Sequence, residues 1–299
     1  MKNSILQEQD QPEMIRLLKA QRVAYSKIKV LQFSFEVAAV VAAIALPICI
    51  LFFPTAKTQI GYVCAAISIS AFFAENYFKR RTKEAASIQE KFDRTLFRLA
   101  DNTFKKPIEV SNERVIELSM KYGKDDMKGW YSQYVRPEYP MDLAVLLCQK
   151  INLVWDWKLR NKYRNTVIAL TIIYAASIVF SVYVMKTTKD EFLNTLILVI
   201  LSNVGLLRYL GSVISEKRII IKEKQGYSIT VDKLLAKATD NDPSLIDKAH
   251  ELQNTIFESR MKHHKVPDCF ARLHRPKLEI LIDEMVSQTV SDYYLRQGK

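Results

Sequence analysis

At 299 residues the chain is long enough for two domains, and its formal net charge of +12 suits either nucleic acid or an anionic membrane surface. Only seven glycines are present, which disfavours phosphate-cradling loops and the broken helices of transporters. Four cysteines (Cys49, Cys64, Cys148 and Cys269) show no CxxC spacing and two of them sit in apolar runs, which argues against a disulfide framework or a zinc site.

In chain order, residues 1–35 read as a basic, helix-prone arm carrying Arg16, Lys19, Arg22, Lys27 and Lys29. With Glu8, Asp10 and Glu13 it has the character of neither a signal nor a transit peptide, so any membrane segments must direct insertion themselves. Val37 to Phe53 is free of charge and extends back to Phe33 if Glu36 is tolerated near one end. A turn from Pro54 to Thr58 leads to a second apolar run, Ile60 to Ala74, which reaches Phe78 by including Glu75 and Asn76. The basic cluster Lys79, Arg80, Arg81 and Lys83 follows.

The middle region, 79–165, reads as helical. Glu84 to Leu99 places Ile88, Phe92, Leu96 and Leu99 on one face, and Ser111 can cap a helix that runs to Lys121 and ends at Gly123. Trp130, Tyr131, Tyr134, Arg136 and Pro137 mark an irregular aromatic segment. Leu146 to Arg164 is then an amphipathic helix with Gln149, Asn152, Asp156, Arg160 and Tyr163 on one face, and Asp156 precedes Arg160 by one turn in the favourable order for an ion pair. Without Pro or Gly it passes into the twenty uncharged residues Thr166 to Met185, about 30 Å of helix and the thickness of a bilayer's hydrocarbon core. This element is expected to link a soluble part mechanically to a membrane part.

A turn, Lys186 to Glu191, leads to a fourth apolar run, Phe192 to Leu207, which extends through Arg208 to Ile214. The remainder, 215–299, should hold a long helix, a helix from about Pro243 to Lys262 with Ile246, Ala249, Leu252 and Ile256 on one face, a turn at Val266 to Asp268, and a helix near Lys277 to Tyr294. The segments flanking the runs on one side are Lys/Arg-rich while the two short turns are poor in basic residues, so both termini and the middle region should be cytoplasmic. The expected fold class is an all-α membrane protein: four transmembrane helices in two hairpins, 36–78 and 166–214, with a helical cytoplasmic domain built from the middle and C-terminal segments.

Glu36, Glu75, Asn203 and Arg208 sit in or at the edge of the apolar runs, where burying a charge at the bilayer centre costs on the order of 3 kcal/mol. Glu36, Glu75 and Arg208 lie near cytoplasmic ends and can reach the headgroups; Asn203 is deeper and can hydrogen-bond between helices or subunits. Small residues repeat four apart (Ala38 and Ala42, Gly61 and Ala65, Ser177 and Ser181), which permits close helix packing. A single four-helix bundle fills its own centre, so a conducting species requires a homo-oligomer.

Four blocks, AQRVAYSKIK (Ala20 to Lys29), KFDRTLF (Lys91 to Phe97), LLCQKINLVWDWKLRNKY (Leu146 to Tyr163) and LQNTIFESR followed by VPD (Leu252 to Arg260, Val266 to Asp268), resemble in order and placement the SMODS-associating four-transmembrane effector family. The resemblance covers nearly the whole chain and marks Asp93, Gln149, Asn152, Asp156, Tyr163 and Asp268 as motif positions. The chain departs from the family at Ala100 and Asp101, where a Pro-Trp pair is usual, and at Cys269 and Phe270, where Trp is usual. The resemblance implies a bacterial inner-membrane protein that permeabilises the membrane in an anti-phage system, triggered through its cytoplasmic domain by a cyclic di- or trinucleotide from a cyclic-oligonucleotide synthase. The lipid bilayer and further copies of the chain are then its partners, and no DNA or RNA binding is expected.

Such a messenger needs cations for its phosphates and flat side chains for its bases. Arg160, Lys158 and Arg260 are the candidate cations, and Trp155, Trp130 and Tyr131 the candidate rings. The plainer reading makes Trp155 core, pairs Arg160 with Asp156 and leaves Arg260 at a solvated helix end. Catalytic signatures are missing: His263 and His264 are adjacent, and with His250 and His274 they form no ligand spacing. The expectation is therefore no enzyme, no metal and no resident cofactor. The alternative to a pore is a membrane-anchored sensor or scaffold that recruits a partner without conducting.

Overall fold

The computed structural model describes residues 3–52, 57–101, 107–131, 135–184, 211, 214–216, 218–237, 244–262 and 265–296, with side chains left out at 35–36, 39–40, 42–52, 57–58, 60–61, 63–76, 174, 177–184 and 262. Every regular element among the described residues is a helix: α1 (Ile5–Glu8), α2 (Pro12–Phe52), α3 (Lys57–Phe97), α4 (Asn112–Met120), α5 (Met141–Val184), α6 (218–237), α7 (Ser244–Lys262) and α8 (Asp268–Arg296). Two compact units result, one made of Met1–Val30, Phe78–Leu159 and Ile220–Lys299, the other of Leu31–Tyr77 and Arg160–Ile219. Among the described residues no helix is long and apolar enough to cross a membrane. The fourth predicted run, 192–207, with Asn203 and Arg208, lies outside the described residues, as do the side chains of Glu36 and Glu75.

The first unit is organised on α5. From Leu143 to Cys148 every side chain is fully buried, and a helix apolar on all sides has to be surrounded. Around it pack Phe92 and Leu96 of α3, Val231 and Leu235 of α6, Leu245 and Ala249 of α7, and Ile282 and Val286 of α8. The N-terminal arm is part of this core. Met14, Leu17, Leu18, Ala24 and Ile28 recur at helical spacing and are buried, so the arm is an amphipathic helix with Arg16 and Lys27 exposed, while Lys29 is drawn into an ion pair.

Helix ends follow local chemistry. Ser111 is extended (φ −62°, ψ 152°) and its hydroxyl accepts the Arg114 amide at 3.3 Å, the expected cap, although α4 stops at Met120, before Gly123. At the end of α3, Arg98 adopts φ 55°, the Leu99 amide reaches back to the Arg94 carbonyl at 3.0 Å and the Arg98 amide to Thr95 at 3.3 Å. That is a Schellman closure with arginine in a place where glycine is usual. The Arg98 guanidinium is held by Glu8 at 2.5 Å and Ser4 at 2.8 Å, which fixes α1 to the turn. The aromatic segment is irregular, as its sequence predicts, and is pinned by the N-terminus: Gly129 N–H donates to Asp10 at 2.8 Å and Tyr131 N–H to Gln9 at 2.8 Å.

Two details of the sequence reading are corrected. On α7 the buried residue is Leu245 and Ile246 is exposed, so the apolar face is Leu245, Ala249, Ile256 and Phe257. Helix α8 begins at Asp268 rather than near Lys277 and carries Pro276 inside it. Arg272, Leu273, Arg275, Pro276 and Lys277 are all exposed, so the carbonyl that proline leaves without a donor can be met by water.

Candidate functional site

The first unit holds several buried charges among its described residues, and two groups of them contrast. The closed one joins α3 and α7 and is reached by α5. Glu90, Asp93, Arg94 and Arg260 put two acids against two guanidinium groups, each residue at most 8% exposed. Arg260 Nη1 lies 2.5 Å from Asp93 Oδ2, and Arg94 Nε lies 2.6 Å from Glu90 Oε1. The Gln253 amide donates to Glu90 at 2.8 Å and to Asp93 at 3.3 Å, while Gln149 of α5 donates to the Ala249 carbonyl at 2.8 Å and to Gln253 at 3.2 Å. Arg94 also reaches Asn254 at 2.5 Å and the Ala100 carbonyl, which the His250 ring meets at 2.8 Å.

Burial pushes the Glu90 carboxyl up, against the pull of Arg260 and with nearby Asp93 adding to the rise. Burial opposes the charge on Arg260, yet Asp93, Tyr25 and Glu90 hold its guanidinium above its usual value. Tyr25 of α2 is partly buried beside it, its phenol raised first by burial, its enclosed hydroxyl without a hydrogen-bond partner among the described residues, and Lys265 5.1 Å above its ring. Chemically this group joins helices: it is charge-balanced and its ionic members meet each other.

The open group lies where α5, α6 and α8 meet. Lys150, 4% exposed, interrupts the buried run of α5, and its ammonium meets the Asp232 carboxylate of α6 and the Thr289 hydroxyl of α8, the latter at 2.7 Å. Thr289 in turn donates to the Met285 carbonyl at 2.8 Å, so its oxygen is aimed at the lysine as an acceptor. Beside these groups is a cavity of about 340 Å³ with Asp292, Tyr293 and Arg296 on its walls and Leu235 and Met285 as its apolar part. The Asp232 side chain is 50% exposed whereas that of Lys150 is 4% exposed, so the anion of the pair can be hydrated and the cation cannot.

None of the residues singled out from the sequence for messenger binding lines this cavity. Arg260 is in the closed network rather than at a solvated end. Tyr131 is 1% exposed and its hydroxyl accepts from Asn152 at 2.9 Å, while Trp130 before it is 36% exposed. Trp155 packs partly buried against the core, Lys158 lies 4.4 Å over the Trp157 ring, and Arg160 is buried. Asp156 takes Lys224 of α6 at 2.5 Å, and Tyr163 is buried. Asp268 meets Lys29 of α2 at 2.7 Å; burial alone would raise its carboxyl, but the charge and hydrogen bond of Lys29 hold it below its usual value. Of the motif positions, Asp93 and Gln149 are thus brought together through Gln253. Lys150 does not stand out among the expected site residues; its signal in the sequence is a lone charge inside LAVLLCQKINL, a stretch that apart from Gln149 and Asn152 is apolar.

A family model described as the SMODS-associating 4TM effector domain matches residues 3–289. Among curated proteins, the chain is 25% identical over 203 residues to a protein of Bacillus cereus (strain VD146) described as a probable CBASS effector molecule, a span that covers 64% of this chain and 68% of that protein. No solved structure matches the chain.

Proposed function

The chain belongs to the SMODS-associating 4TM effector domain family, and from that premise we propose that it is a CBASS anti-phage effector acting at the bacterial inner membrane. The observation that carries this reading is the family match over residues 3–289, which takes in both units. The relative's description as a CBASS effector supports the pathway. Support for the membrane comes from the four apolar runs and their basic flanks on one side, which give two hairpins with both termini cytoplasmic.

In this reading the first unit receives a cyclic oligonucleotide. Helix α5 starts in that unit and ends at Val184 within the third apolar run, so it is the element that carries the response. Copies of the chain then assemble and make the membrane leak; the protein performs no catalysis. The test is release of dye and potassium from liposomes holding the purified chain, with and without a panel of cyclic di- and trinucleotides. Release with one of them and not with the others supports a gated pore. Absence of release under every condition, in vesicles shown to contain folded protein, overturns the pore in favour of an anchored scaffold.

A further inference from the structure

We propose that the cleft between α5, α6 and α8 is where the first unit takes its ligand, and that the ligand is held there by a phosphodiester group displacing Asp232 from Lys150. This assignment rests on the reading that a nucleotide triggers the chain; the site and the phosphate class come from the cleft itself.

A buried ammonium needs an anion, and Lys150 has one that is not fixed. Asp232 sits on α6 with half its side chain in water, so turning it outward exposes a carboxylate to solvent and leaves Lys150 uncompensated against a cavity. Thr289 cannot replace it, because a hydroxyl that accepts from the lysine and donates to the Met285 carbonyl brings no charge. Only an incoming oxyanion restores the balance.

Counting charges selects the kind of oxyanion. With Asp232 in place the walls carry two cations, Lys150 and Arg296, and two anions, Asp232 and Asp292. Removing Asp232 from the lining leaves one positive charge to be met. A phosphodiester brings one negative charge, whereas a phosphomonoester brings about 1.5 to 2 at neutral pH and would face Asp292 with the excess. Asp292 and Gln288 offer acceptors to the amino edge of a base, and the Tyr293 and Leu235 side chains offer apolar wall. At about 340 Å³ the cavity is at the small end for ligand pockets, the size for one nucleotide unit with the rest of the molecule outside.

The experiment is calorimetric titration of the full chain in detergent micelles with 3′,5′-linked cyclic di- and trinucleotides, with AMP, GMP and inorganic phosphate as comparators. It is repeated on Asp232→Asn, Arg296→Gln and, as a control away from the cleft, Lys248→Gln. Arg296 is exposed and its substitution leaves the core alone, whereas Asp232→Asn keeps the size of an exposed side chain but takes the anion from buried Lys150, so the denaturant midpoint of each variant is measured first to show that it is folded. One cyclic nucleotide is expected to bind, about tenfold tighter to Asp232→Asn and about tenfold weaker to Arg296→Gln, with Lys248→Gln unchanged. Binding with the same affinity in both cleft variants overturns the site while leaving the nucleotide reading intact. Monoesters or inorganic phosphate binding as tightly as the cyclic compounds overturns the diester class. No binding of any nucleotide to the unaltered chain overturns the nucleotide reading itself, and the assignment with it.

Discussion

The closed network around Arg260 and the open pair at Lys150 are both buried charge clusters of one helical unit, and they differ in where the counter-charge sits. Arg260 meets Asp93, itself 1% exposed, and the amide of Gln253 ties that carboxylate to Glu90. Lys150 meets a half-exposed aspartate beside a cavity. A buried cation whose partners are all buried has nothing to exchange with; one whose partner can reach water does. Burial of charge by itself therefore marks helix joining as readily as binding, and the accessibility of the partner decides between them.

The largest expected effect comes from breaking the closed group. Arg260→Met leaves Asp93 buried without its cation and Glu90 with Arg94 alone, and should cost about 3 to 5 kcal/mol, read as a fall in the denaturant midpoint of the purified chain. Lys150→Met is the matching substitution at the open group, and there the abandoned carboxylate is already half in water. Its stability should move by no more than about 1 kcal/mol, since an apolar side chain of similar volume suits the surrounding core. A loss at Lys150 as large as that at Arg260 would erase the distinction between the two groups.

Next in size is Tyr131→Phe. It removes the hydroxyl that Asn152 donates to and should cost about 1 kcal/mol while leaving ligand titrations unaltered; weakened binding instead would return Tyr131 to the recognition site. The smallest effect concerns Glu117, which is exposed on α4. Its carboxyl is brought from 4.5 to about 2, first by the hydrogen bond from Lys121 and then by Arg114. A lowered folded value means support that is present above 4.5 and lost as pH falls toward about 2. Hydrogen exchange of the peptide spanning α4 should show protection declining through that window, and Lys121→Gln should move the decline to higher pH.

Much of the helical architecture was legible because it is local. The Ser111 cap, the stripe Ile88, Phe92, Leu96 and the break at Val266 follow from spacing and capping chemistry within a few residues. Helix α8 starts upstream of the expected Lys277 and runs through Pro276, because a proline is tolerated where the freed carbonyl has another partner, and solvent exposure is a tertiary property. The candidate site was not legible for the same reason on a larger scale. Lys150 and Asp232 are 82 residues apart, and Arg260 and Asp93 are 167 apart. Residue type alone made Arg260 and Tyr131 candidates for a ligand, and the partners they meet, Asp93 and Asn152, lie 167 and 21 residues away. A lone charge in the stretch Leu143 to Leu153 was the one clue present in the sequence, and it said that a partner exists without saying which.

Cys148 stands two residues before Lys150, fully buried, with a thiol that burial raises well above its ordinary value, while Cys269 is exposed at the start of α8. The nucleophile in thiol alkylation is the thiolate, so the closed unit shields Cys148 both by exclusion and by protonation. In a chain where Cys49, Cys64 and Cys269 are replaced by alanine, the alkylation rate of Cys148 becomes a stopwatch for loosening of α5 from its neighbours. Each opening would leave a permanent covalent mark that mass spectrometry can count, in vesicles or in cells.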